Sequence, residues 1–137
     1  MHYKHSICHP ESPEIEYPDQ KLSAEQVRET ARHYPWKQEL QKLKTMSPQE
    51  INYSPALDFT NLQDNHSLCL TAEGEPEEYL FSVFYNRPVM KKVLFGLLGE
   101  REKMEVIDKS FSIEEAFRVL EMFLKLDYDS IEREMKK

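Results

Sequence analysis

The sequence predicts an α+β domain: an antiparallel meander of four to five strands, packed by a C-terminal helix and accompanied by N-terminal helices. Three observations carry that expectation. From Ala56 onward polar and apolar residues alternate, with Leu57 and Phe59, then Leu68 and Leu70, on one face. Asp58, Thr60, Cys69 and Thr71 lie between them. In Tyr79-Leu80-Phe81-Ser82-Val83-Phe84-Tyr85 the alternation fails and both faces are apolar, the pattern of an interior strand with cover from two sides. After Ser112 the period changes to that of a helix. Ile113, Ala116, Phe117, Leu120, Phe123 and Leu124 then form a broad apolar stripe that needs a flat apolar partner.

Residues 1–20 read as an extended N-terminal arm and 21–137 as a single α+β domain. Pro10, Pro13 and Pro18 forbid helix in the arm and discourage a central strand, while Tyr3, Ile7, Ile15 and Tyr17 offer points of attachment. Ser23 with Gln26 three residues later is a capping box, and Val27, Ala31 and Tyr34 continue one stripe until Pro35. Trp36, Leu40 and Leu43 mark a second helix with a charged outer face. Ser47-Pro48-Gln49-Glu50 starts a single turn. Strands are expected over Ala56–Leu62, Ser67–Ala72 and Glu78–Asn86, the last ended by Arg87-Pro88, with turns at Gln63–His66 and Gly74–Pro76. Val93–Leu98 reads as strand, Gly99–Glu102 as a hairpin loop and Met104–Lys109 as the returning strand. A helix over 89–98 is the rival, weakened by Gly96 and Gly99. Ser112 and Glu115 box the last helix, which Asp127 and Asp129 interrupt before a final turn at Ile131–Met135.

The 137 residues carry a formal net charge of -7. That charge argues against non-specific binding to nucleic acid or to an anionic membrane, both of which need a basic surface. Cys8 and Cys69 make a poor disulfide framework, no apolar leader opens the chain, and no stretch is long enough to span a bilayer. A cytoplasmic protein is expected.

No glycine-rich phosphate loop, nucleophile elbow or cofactor motif is present, and no cofactor is expected. His2, His5, Cys8 and His9 are the candidate metal ligands, being imidazole and thiolate donors of the kind zinc takes. A second ligand cluster is missing, so a histidine-rich tail is the simpler account. Residues 56–78 hold six acids and no lysine or arginine, whereas residues 87–103 hold five basic residues against two acids. Asp58, Asp64, Glu73, Glu75, Glu77 and Glu78 are thus the candidate surface for a basic protein partner, or they are neutralised within the fold. Trp36 and Tyr34 beside Pro35 read as core, with an interface anchor as the other possibility.

These readings favour a small non-enzymatic protein that acts by binding another protein. In size, acidity and want of catalytic motifs the chain resembles small bacterial toxin-neutralising (immunity-type) proteins. That likeness is one of general character, transfers no residue role, and implies a basic toxin as partner. The alternative is an enzyme or small-ligand binder with a pocket between the sheet and the N-terminal helices, using Tyr53, Asp58, His66, Tyr79 and Tyr85.

Overall fold

In the computed structural model, which describes residues 1–92, 96 and 99–137, five described strands make one antiparallel sheet. They are β1 (Tyr3–Cys8), β2 (Ala56–Asn61), β3 (Ser67–Glu75), β4 (Glu78–Lys92) and β5 (Glu100–Phe111), adjacent in chain order. Four helices accompany them: α1 (Ala24–His33), α2 (Trp36–Thr45), α3 (Ile113–Leu124) and α4 (Tyr128–Met135). The class is α+β, and α3 packs on the meander as its apolar stripe requires.

Helix boundaries follow local chemistry. Ser23 and Ser112 accept from the backbone of Gln26 and Glu115, whose side chains return the bond to the cap residue. Around the short 3-10 turn Pro48–Glu50, Glu50 Oε1 accepts from both Ser47 N at 3.1 Å and Ser47 Oγ at 2.7 Å. Leu126, in left-handed backbone at φ 61°, ends the α3 connection, and Asp127 then caps α4 through Ser130 N.

The alternation fixes which strand residues meet the helices. Leu57, Phe59, Leu68, Leu70, Ala72, Phe81, Val83, Tyr85 and Phe111 are all buried on one face, against Val27, Ala31, Trp36, Leu40, Leu120 and Phe123. Trp36 meets Phe81 edge-on at 4.8 Å, and Phe117 meets the same ring at 5.8 Å, so α2 and α3 share one side of the sheet. Arg28 of α1 grips Glu121 of α3 with two guanidinium nitrogens, joining the two helices above that layer.

Several expectations change. The arm contributes β1, whose residues Tyr3 to Cys8 pair with Asn61 to Ala56. Its outer edge is closed in turn: Tyr3 and Leu22 exchange two backbone hydrogen bonds, as do Ile7 and Glu16. Pro88 does not end its strand. Beyond Asn86, β4 has lost β3 and keeps only β5 as a neighbour, so a residue without an N–H is tolerated on the open side. Val89–Lys92, part of the rival helix, are therefore strand, and Glu100–Glu102, expected as loop, pair with them. The strand expected over 93–98 falls, apart from Gly96, outside the described residues. Helical cover on β4 is one-sided: Leu80 is 51% exposed and Phe84 half-buried on the face away from the helices.

Candidate functional site

Strand alternation and register assemble a second sheet face without helices. On β4 and β5 it presents Leu80, Phe84, Pro88 and Met90 beside Met104 and Val106, with Pro88 opposite Met104 and Asn86 opposite Val106. Met90 is 58% exposed, Val106 57% and Met104 40%. The diagonal neighbours Phe84–Val106 and Met90–Met104 make this an apolar stripe along the ribbon. Glu73, Glu102 and Asp108 belong to the same face and give it an acidic margin. The opposite face of the ribbon is basic: Lys91 pairs with Glu105 at 2.7 Å, and Arg101 lies across from Lys91. Arg87, only 8% exposed, holds Glu132 of α4 at 2.9 Å and donates to Glu105 O. The stripe was missed in the sequence because its residues are spread over two strands whose register the sequence does not give.

The acidic residues singled out from composition meet different neighbours. Glu75 is paired with Lys44 and Glu77 with Lys37 at 2.9 Å, both lysines coming from α2. Glu73 accepts from Ser82 Oγ at 2.9 Å, and Glu78 is exposed at the turn. Just before that turn, Gly74 in β3 lies opposite Tyr79 at φ 109°, where a side chain would strain the backbone. Asp64 accepts from Tyr128 Oη at 2.5 Å and from His66 N at 3.1 Å.

Asp58 lies on the open face, flooring a depression of about 290 Å³ between β1, β2 and the returning arm at Ile15 and Tyr17. Its Oδ1 is buried without a hydrogen-bond partner. Burial raises its carboxyl above the ordinary 3.8, with Lys4 pulling weakly the other way. An acid whose folded-state pKa is raised binds its proton more tightly when folded, so its penalty is absent at low pH. The penalty sets in as pH rises through the ordinary carboxylate range to the raised value. Asp58→Asn should therefore stabilise the protein by about 1 kcal/mol at pH 7.5 and by much less at pH 4. Urea unfolding at the two pH values checks this; equal or lower stability of the variant at pH 7.5 would contradict it.

Both thiols are free and held protonated: burial, then Asp58, raises Cys8 and pushes Cys69 up to about 12. Neither is an activated nucleophile. Of the residues named for a ligand pocket, His66 and Tyr85 meet, His66 Nδ1 lying 2.7 Å from the Tyr85 hydroxyl. His66 also stacks on Tyr128 at 3.9 Å, and desolvation lowers its pKa. Tyr53 instead reaches Pro13 O, and Tyr79 packs edge-on against Phe81. Trp36, Leu40, Val27 and Ala31 fill the layer between the sheet and α1–α2, where that pocket was expected.

The four candidate metal ligands separate. His5 follows Tyr3 on the helix side and stacks on Phe59, Cys8 faces the other way near Asp58, and His2 is exposed. His9 turns toward Glu16, at 3.0 Å, and toward Glu11. Among the described residues no helix is long and apolar enough to cross a membrane. Compared with protein-family models, curated proteins and solved structures, the chain matches none.

Proposed function

We propose that this protein acts by binding another protein on the helix-free face of β4 and β5. The exposed stripe of Met90, Met104 and Val106 carries the reading, because moving such side chains from water to a partner's surface lowers the free energy. Methionines adapt to a partner's shape at little cost. The edge of β5 is a poor docking element by comparison. Seven of its twelve residues are charged, which discourages strand addition.

The margin of Glu73, Glu102 and Asp108, with the net charge of -7, favours a partner that presents apolar residues among basic ones. Neutralisation of a basic bacterial toxin is the form of this activity that small size and acidity support. Two unpaired thiols accord with a reducing, cytoplasmic setting.

The test uses the tagged full chain in extracts of its source cells, beside a Met104→Glu/Val106→Glu variant. Both positions are exposed, so folding and melting temperature should change little. The expected result is a basic protein that co-purifies with the parent chain and is lost, at least about tenfold, from the variant. An unchanged set of partners, or a stripe that only joins two copies of this chain in sedimentation, would refute the proposal.

A further inference from the structure

Where the arm leaves β1, three metal-binding side chains converge from two distant parts of the chain. His9 and Glu11 come from the arm and Glu39 from α2, and one donor atom of each lies within 4.8 Å of the others. We propose that His9, Glu11 and Glu39 bind a divalent first-row metal ion, with zinc as the ion this donor set fits best.

The donor atoms are prepared for a cation. Glu39 is only 6% exposed, and its carboxylate meets a single cation, the Lys42 ammonium, at 3.1 Å from Oε2. His9 Nδ1 is buried without a hydrogen-bond partner, 3.8 Å from Glu11 Oε1. Its other ring nitrogen, Nε2, lies 3.0 Å from Glu16 Oε2. A carboxylate only accepts, so Nε2 carries a proton, and in the neutral ring Nδ1 then holds the lone pair. Carboxylate–imidazole–metal is the arrangement that orients a histidine ligand and raises its basicity. One imidazole with two carboxylates suits zinc and leaves a fourth position for water. Zinc holds such donors at about 2.0–2.2 Å, so the three must draw in by about an ångström, within reach of glutamate torsions.

Two neighbours complete the case. Lys42 Nζ stands 3.1 Å from Glu39 Oε2 and 3.6 Å from Glu11 Oε1, so an ammonium already bridges these two carboxylates. The lysine chain is half-exposed and flexible, and an incoming ion displaces it at small cost. The Tyr34 hydroxyl is also buried without a partner. Burial, with Glu39, Glu11 and Glu16, raises its pKa, so it stays a neutral O–H able to donate to a metal-bound water. The bound ion would fasten the arm to α2, two segments some thirty residues apart in sequence.

The experiment takes the chelator-stripped full chain and titrates it with Zn²⁺ by calorimetry and with Co²⁺ by visible absorption. One ion per chain is expected, with ligand-field bands for cobalt and a raised melting temperature with zinc. His9→Gln and Glu39→Gln should each weaken binding by about tenfold or more, while Lys42→Met should tighten it. His9 is partly exposed and its variant should fold, so it decides the matter even if Glu39→Gln is unstable. Absence of saturable binding, or an affinity that these three substitutions leave unchanged, would overturn the assignment.

Discussion

Trp36→Ala should cost about 3–5 kcal/mol, a large part of the roughly 5–15 kcal/mol that holds a domain of this kind together. The indole is 3% exposed and donates Nε1–H to Ala31 O at 2.9 Å. It lies 4.8 Å from Phe81 and 4.7 Å from Tyr34, ring to ring, so one side chain joins β4 to the junction of α1 and α2. Pro35 breaks the helix there and sets the ring at the first position of α2. Trp36→Phe keeps the edge-on contact and removes only the donor, and should cost about 1–2 kcal/mol. Urea unfolding followed by far-ultraviolet circular dichroism checks both, since the sole tryptophan is the residue removed. A loss under about 1 kcal/mol for Trp36→Ala would mean that α1 and α2 are not docked through this ring.

Tyr3→Ala should have an effect of similar size, about 3–4 kcal/mol. Tyr3 is fully buried, its ring 5.8 Å from Phe123 of α3, and its backbone bonds with Leu22 on the side away from β2. The hydroxyl finds only the Met1 sulfur, at 3.6 Å, so Tyr3→Phe should be nearly neutral. That contrast separates packing from polar anchoring. If Tyr3→Ala melts like the parent chain, β1 is not a structural member of the sheet.

The helices and central strands were legible because their signals are local. Ser23 with Gln26 and Ser112 with Glu115 are complete in four residues, and Leu57, Phe59, Leu68 and Leu70 mark the core face without knowledge of any partner. β1 was not legible as strand although Tyr3, His5 and Ile7 alternate with Lys4, Ser6 and Cys8. The prolines that follow, and a histidine at an inward position, masked a short period-two signal. Pro88 misled for a related reason: whether proline ends a strand depends on which neighbour its missing N–H would have served. The candidate site was harder still. Composition gave the acids, but the lysines that neutralise Glu75 and Glu77 sit on α2, thirty or more positions away. The apolar stripe exists only once Pro88 is set against Met104.

The pairing of β1 with β2 has a consequence for how the chain reaches its native state. Ile7 lies opposite Leu57, about fifty residues later, whereas every other neighbouring pair of strands is closer in sequence. Loop closure over that distance costs more than the hairpin closures, and contacts of large sequence separation form slowly. On a ribosome, β1 waits unpaired until β2 has emerged. Until it docks, β2 offers a bare edge to any other extended chain nearby.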